Sequence, residues 1–406
     1  MFFTRMKKLI KLLPRALGIL RRNPSVARTL LRMEGRYRYG IPRDRRAGDG
    51  LSAPPASVSL NLTMRCNLKC VMCRQIRQYA EAPAGRPWFD PANELPLEKW
   101  IEFLDQLTPF RPWIYVTGGE PLISKNFREV VLAAKARKLP VQVQTNGVLL
   151  EKHAEFIVDA GVEAVTVSLD GPQEEHDAIR GVPGTFERMT RGARLLVETR
   201  KKMGRPNPIL SFNCAISKHN ASRLPEVVAM AIELGADAMQ MQHTMFNSAE
   251  KNAAHNAVIA EGRKRGDIDT PPEALCDGEN YESELDESFL PILDKGIRQA
   301  QALAKDKMIF SIIPNLRQDF LRPYYFDLDY PFLEKCDSFW QVFRVLPDGT
   351  VSPCMNFIVG NIRDTSVMDI WNGPRMRKLR ELISKKLFPG CARCCHRHFT
   401  TANRAF

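Results

Sequence analysis

The chain predicts an α/β fold: a partial (β/α)6 parallel barrel followed by a small, cysteine-rich C-terminal domain. Three observations carry that expectation. Short apolar or alternating runs are separated by longer amphipathic stretches six times between residues 57 and 243. Such regular alternation of strand and helix implies a parallel sheet with right-handed crossovers, and six units are too few to close an eight-stranded barrel. The cysteines fall into two sets, one near the start (Cys66, Cys70, Cys73) and one near the end (Cys336, Cys354, Cys391, Cys394). The expected divisions are a basic amphipathic arm over 1–50, the barrel over 51–244, a bridging region over 245–333 and the cysteine-rich domain over 334–406.

Composition narrows the partners. No apolar run reaches the roughly 18–20 residues needed to cross a membrane. Lys and Arg interrupt Leu9 to Leu20, so no secretory signal is expected. Ten clustered cysteines read as metal ligands in a reducing cytoplasm rather than as a disulfide framework. Of the net charge of +13, residues 1–50 carry +11 and the remaining body only +2. The basicity therefore belongs to the arm, and no nucleic-acid partner is expected. Phe2, Met6, Leu9, Ile10, Leu13, Leu17 and Leu20 recur at helical spacing, with Lys7, Lys8, Lys11, Arg15, Arg21 and Arg22 mostly off that stripe and a kink at Pro14. Residues 1–22 thus read either as a helix on an anionic membrane surface, peripheral to the inner face, or as one packed on the protein's own body. Arg43 to Gly50 and Pro54-Pro55 read as a linker.

Within the barrel, strands are expected over 57–64, 113–117, 140–145, 163–169, 209–216 and 237–243. Helices are expected over 96–108, 126–138, 150–160, 186–200 and 222–234, with Asn126 as an N-cap. Chemistry in such folds sits at the C-terminal ends of the strands. There the first strand leads into Asn61-Leu-Thr-Met-Arg-Cys66-Asn-Leu-Lys-Cys70-Val-Met-Cys73. Three thiolates can hold three irons of a [4Fe–4S] cube and leave the fourth iron open to a small molecule. A zinc site is the competing reading, but zinc favours paired Cys or Cys/His ligands and the nearest histidine is His153.

The second strand ends in Thr117-Gly118-Gly119-Glu120-Pro121, where two glycines let the backbone approach a ligand closely. The third ends in Thr145-Asn146-Gly147, and the fourth in Ser168-Leu169-Asp170-Gly171, followed by His176 to Arg180. Asn213, Gln240, Gln242 and His243 on the last two strands are candidates to line a substrate site, with His243 as a general base or a structural group. Cys214 reads as a small buried residue. Further on, a helix over 290–304 and a strand over 308–313 are expected to cover the pocket, and Cys276 has no partner in sequence. Val345-Leu-Pro-Asp-Gly-Thr-Val-Ser-Pro-Cys354 reads as a hairpin, and a helix over 374–385 ends before Pro389-Gly390-Cys391.

The C-x3-C-x2-C motif resembles the signature of the radical S-adenosylmethionine (SAM) superfamily. The resemblance implies an open iron that chelates the amino and carboxylate groups of SAM, and reductive cleavage to a 5′-deoxyadenosyl radical that abstracts hydrogen from a substrate. Gly118, Gly119, Glu120 and Pro121 match the family's GGEP motif, whose backbone binds the SAM ammonium. Thr145, Asn146, Ser168, Asp170 and Arg180 complete the implied cofactor-binding set, Ser168 and Arg180 at the SAM carboxylate and Asp170 near the ribose or substrate. The chain departs from the family at Met72, where an aromatic residue usually precedes the third cysteine.

Cys336 to Cys394 resembles the SPASM/twitch auxiliary domain, through C-x12-G-x4-C, Gly360-Asn-Ile, Ile370-Trp-Asn and C-x2-C. The full pattern has seven cysteines and this one has five, which implies one auxiliary [4Fe–4S] cluster on four of them, with Cys394 or Cys395 as the last ligand. Structural zinc on the same four is the alternative, and the company of a first cluster favours iron. The implied partners are a peptide, sugar, cyclitol or other small-molecule substrate and a flavodoxin- or ferredoxin-type reductant. The competing functions are an electron-transfer iron–sulfur protein and a SAM-dependent RNA-modifying enzyme.

Overall fold

Period-two patterning decides which way each strand faces. In β1 (Ser57–Asn61), β2 (Trp113–Thr117), β3 (Val141–Thr145), β4 (Ala164–Ser168), β5 (Ile209–Ile216) and β6 (Ala238–His243), one set of alternate residues is apolar and buried. That set includes Val58, Leu60, Ile114, Val116, Val143, Val165, Val167, Phe212 and Met241. The other set is mostly Ser, Thr, Gln, Asn and Tyr, and forms a polar concave face. The computed structural model describes residues 18, 21, 23–73, 86–269, 283–332, 334–354, 356–394 and 397–399.

Amphipathic helices cover the apolar face. Trp100, Phe103, Leu104 and Leu107 from helix Leu97–Leu107, and Phe127, Val130, Val131 and Ala134 from helix Phe127–Ala136, point into one continuous core. Each fully buried Leu, Val or Phe contributes roughly 1.5–3 kcal/mol of transfer free energy. Asn126 stands at the N-cap position, but its side chain does not cap the helix; it donates to the Leu95 carbonyl at 3.2 Å instead.

All strands from β1 to β6 pair in parallel and in sequence order, and the sheet stays open, as the partial barrel requires. It does not stop at six strands. Strand β7 (Ile309–Ile313), from the bridging region, adds in parallel beside β6. After the short strand β8 (Glu334–Cys336) comes β9 (Val342–Val345), which adds in parallel beside β1. A hairpin then carries β10 (Thr350–Val351), paired with β9, and β11 (Gly360–Asn361). Gly349 at its turn has φ +91°, a conformation open to glycine. Strand β12 (Arg397–Phe399) pairs with β8 in a separate two-stranded sheet. The cysteine-rich region is therefore hydrogen-bonded into the barrel sheet.

The expected linker over Arg43 to Gly50 is instead largely helical. Helices Pro24–Gly35 and Ile41–Ala47 frame it, and Asp44 is buried, paired with Arg36 at 2.7 Å and accepting from the Ala53 amide at 3.0 Å. Arg45 donates to Asp337 at 2.8 Å and lies 4.0 Å over the Trp340 ring, which ties the segment to the cysteine-rich region. Val26 packs with Trp113 and Ala164 at the starts of β2 and β4. The amphipathic stretch 1–22 lies outside the described residues apart from Gly18 and Arg21. Among the described residues, no helix is long and apolar enough to cross a membrane.

Candidate active site

The C-terminal ends of the strands enclose an open cavity. It is lined by Cys66, Cys70, Met72 and Cys73, with Thr117, Gly118, Gly119, Gln144, Thr145, Asn146, Ser168, Arg180, Asn213 and Ala215. The three cysteines thus meet the strand-end residues expected with them. Backbone packing explains how. The Gly119 amide donates to Thr63 O at 2.8 Å and the Glu120 amide to Arg65 O at 2.9 Å. A Cβ on Gly118 would stand 2.2 Å from Thr63 O, and one on Gly119 2.1 Å from Arg65 O. These glycines admit the chain that leads into Cys66, so the close approach they allow is first of all to the cysteine loop. From the other side, the Lys69 amide donates to Arg180 O at 3.1 Å and the Val71 amide to Ile179 O at 2.9 Å. The loop is held between β2 and helix Gln173–Arg180, an element absent from the expected set because its sequence is almost wholly polar.

Two expected ligand contacts lie underneath the cavity. Asp170 is fully buried. It pairs with Arg180 and accepts from the Ala215 amide at 2.9 Å, while its own amide donates to His176 Nδ1 at 3.2 Å. It holds Arg180 instead of facing a ribose. Arg180 faces the cavity, with Nη1 3.7 Å from Cys70 Sγ. Burial opposes its charge, but Asp170 and Cys70 outweigh that and raise its pKa. Glu120 is also fully buried. It accepts from Thr145 Oγ1 at 2.8 Å, the Asn146 amide at 2.8 Å and the Leu122 amide at 3.1 Å, and burial pushes its carboxyl up to about 7. Pro121 is buried at the start of a single 3-10 turn, Pro121–Ile123.

Asn146 donates to Asn67 Oδ1 at 2.8 Å and lies 3.9 Å from Cys66 Sγ. Asn67, Thr117 and Gln144 escaped sequence reasoning. For Gln144 the signal was present: alternate glutamines in the otherwise apolar strand Val-Gln-Val-Gln-Thr mark a polar interior. Asn213 lies opposite Ser168 in the β4–β5 register and accepts from Gln240 at 3.4 Å. His243 does not join them. It falls in the buried, helix-facing set of β6, bonded to the Tyr325 hydroxyl, and burial pushes its pKa down to about 4. Cys214 is fully buried on the same side of the sheet, as a packing residue would be.

Burial pushes the Cys66 thiol up to about 11 and also raises Cys70, against the pull of Arg180. Both must lose a proton to ligate iron, which couples metal binding to pH.

The second set also converges. Burial pushes Cys336 up to about 12 and raises Cys354 and Cys391 as well; each is raised further by the Cys394 sulfur, Cys354 also by Cys336, and Cys391 by both Cys354 and Cys336. Cys395 and Cys276 lie outside the described residues. Four thiols fit iron or zinc. Among the described residues, no three Cys, His, Asp or Glu side chains are arranged to hold a single ion. His255 is fully buried against Phe357 and Phe388, neither ring nitrogen has a hydrogen-bond partner among the described residues, and its ring lies against the turn at Gly390, next to Cys391 in the chain.

A parallel-sheet scaffold with three cysteines at the strand ends, and four more in a region whose strands β9 to β11 extend that sheet, defines an iron–sulfur protein of the partial-barrel class. The chain belongs to the radical SAM superfamily: the model of that superfamily matches residues 60–239, and that of the SPASM iron–sulfur cluster-binding domain matches 336–395. It is 34% identical over 185 residues to an AdoMet-dependent heme synthase of Methanosarcina barkeri, covering 45% of this chain and 48% of that one. A tungsten-containing aldehyde ferredoxin oxidoreductase cofactor-modifying protein of Pyrococcus furiosus is 24% identical over 345 residues, 82% of this chain and 86% of that one. The Streptococcus suis SuiB structure, bound to its precursor peptide SuiA, shares the fold at TM-score 0.58 and 17% identity, over 84% of this chain and 70% of that one. The chain spans about half the length of the first relatives it matches.

Proposed function

We propose that this chain is a radical SAM enzyme that uses Cys66, Cys70 and Cys73 to hold a [4Fe–4S] cluster and the surrounding strand ends to hold SAM. One observation carries the reading: the three cysteines line the same cavity as Gly118, Gly119, Asn146, Ser168, Arg180 and Asn213. When bound, the cluster supplies the electron that cleaves SAM to a hydrogen-abstracting radical. The residues of the chain bind and orient. Arg180, fixed by Asp170, presents a guanidinium suited to a carboxylate. The Gly118–Gly119 backbone and the Ser168 hydroxyl complete a polar cradle, and Met72 takes the place of the usual aromatic residue against adenine. Cys336, Cys354, Cys391 and Cys394 would hold one auxiliary [4Fe–4S] cluster that assists electron transfer in a net oxidation or bond formation.

The substrate class is a peptide or a small molecule. Relatives named as PqqA peptide cyclase and as heme synthases stand on either side of that choice. A flavodoxin- or ferredoxin-type protein in the cytoplasm is the proposed reductant, and residues 1–22 the proposed membrane-surface contact. The test is 5′-deoxyadenosine formation from SAM by the anaerobically reconstituted, reduced chain. Product from the wild type and none from a Cys66→Ala/Cys70→Ala/Cys73→Ala variant is the expected result. No product from a chain with both clusters assembled would instead favour an electron-transfer protein.

A further inference from the structure

Helix Pro24–Gly35 lies across the N-terminal ends of the strands, on the face opposite the cysteine cavity. Val26 packs on Trp113 and Ala164, the first residues of β2 and β4, together with Met33 and with Ile209, the first residue of β5. Arg32 donates to the Arg111 carbonyl at 2.6 Å. The helix buries Val26 and Thr29 and turns Leu30 and Leu31 outward, Leu31 being 71% exposed. Around it the loops that enter β2 to β7 are basic. They span residues 108–112, 137–140, 160–163, 203–208, 234–237 and 305–308. Within them Glu163 pairs with Lys135, Asp237 with Arg200 at 2.6 Å and Arg137 with Asp105 at 2.8 Å. Arg111, Lys138, Arg205, Lys305 and Lys307 remain exposed without an ion-pair partner among the described residues, against Asp306 alone. Met203 and Leu303, each two positions before one of these cations, are exposed as well.

We propose that this face docks on an anionic lipid bilayer, with Leu30, Leu31, Met203 and Leu303 in the headgroup–acyl boundary and the unpaired cations among the lipid phosphates. This deepens the reading of residues 1–22 as a membrane-surface contact and rests on it: the amphipathic stretch ends where helix Pro24–Gly35 begins, so it is tethered to the same face. Apolar burial and attraction to anionic lipid are each weak and add together. Charge alone would also suit a nucleic acid, but that partner would set bare aliphatic side chains against phosphate and offers them no apolar phase. Docked in this way, the protein turns the cavity at the opposite strand ends to the solution, and its substrate is taken from the aqueous side.

The test is co-sedimentation of the full chain with phosphatidylcholine vesicles made with and without phosphatidylglycerol. Binding to the anionic vesicles alone, weakened by salt, is expected. Lys138→Gln/Arg205→Gln/Lys305→Gln should weaken it about tenfold or more, since each cation removed near such a surface counts about fivefold. Leu30→Ser/Leu31→Ser should weaken it too, and Leu31→Trp should add fluorescence that lipids with brominated acyl chains quench. Leu9→Ser/Leu13→Ser tests residues 1–22 separately. Binding lost in that variant but unchanged in both face variants would keep the arm reading and overturn this one; the reverse would remove the arm alone. No vesicle binding at all, no quenching in Leu31→Trp, or binding of single-stranded RNA in place of vesicles would also overturn the proposal. Melting temperatures show which variants fold; should Leu30→Ser/Leu31→Ser not, the cation variant and Leu31→Trp decide.

Discussion

Arg180 carries the positive charge of the SAM cavity, and it can do so while largely buried because Asp170 sits beneath it. Asp170 has a dense set of supports: the Ala215 amide, and Asn220, whose side-chain amide donates to the Asp170 carbonyl at 2.9 Å. Removing one partner of such a pair leaves the other uncompensated in a low-dielectric site, at a cost of about 3–5 kcal/mol. Asp170→Asn is therefore expected to lower stability by that order, read from denaturant unfolding of the full chain. The double variant Asp170→Asn/Arg180→Met should recover part of the loss, because the orphaned cation is gone. A double variant no more stable than Asp170→Asn would show that the pair is not coupled. The sequence placed Asp170 and Glu120 correctly at strand ends. It could not show that both carboxylates turn inward to hold neighbouring elements, since that depends on how the loops pack.

At the scale of elements, the glycines after β2 make the cysteine loop possible. In Gly119→Ala the new methyl would collide with two backbone carbonyls, Arg65 O at 2.1 Å and Met64 O at 2.5 Å, and backbone cannot swing aside as a side chain can. The expected outcome is loss of about four irons per chain, the content of one cube, with the iron of the second site retained. Iron analysis with electron paramagnetic resonance of the reduced protein checks it. Full iron content in the variant would mean that the loop relaxes without harm. Strands and the longer helices were legible because their apolar residues recur at period two or near 3.6. Helix Gln173–Arg180 was not, because only Ala178 and Ile179 break its polarity. Parity decides between the two readings of His243 in favour of the structural one: Gln240 and Gln242 share the other face of β6, whereas His243 turns into the helix layer and bonds to Tyr325.

Across the whole molecule, four buried imidazoles among the described residues are held neutral: burial pushes His176 down to about 3, His243 and His255 to about 4, and His153 in the same direction. In the unfolded chain each takes up a proton near 6.5. Their contribution to stability is thus present above pH 6.5 and is lost as pH falls toward 4, on the order of 3 kcal/mol each for His243 and His255. Glu120, raised to about 7, acts in the opposite sense: its contribution is present below about 4.5 and lost as pH rises through 7. Four groups against one predict a net fall in melting temperature between pH 7 and pH 5. His243→Phe should flatten that slope in fluorescence melts, and an unchanged slope would count against a buried neutral His243.

By itself the amino-acid sequence determined the alternating α/β scaffold, the two cysteine sets and the strand-end residues around the first, because periodicity and spacing are local properties of the chain. Only the tertiary structure decided that β9 joins β1 and so brings the second cysteine set to the barrel. It also decided that the segment expected as a linker, Arg43 to Gly50, is largely helical and packs on the body. Both outcomes depend on hydrogen bonds and ion pairs between residues nearly three hundred positions apart, such as Ser59 with Arg344 in the sheet and Arg45 with Asp337. Local pattern carries no record of those encounters, since a strand edge or a buried charge finds its partner only when the chain closes on itself.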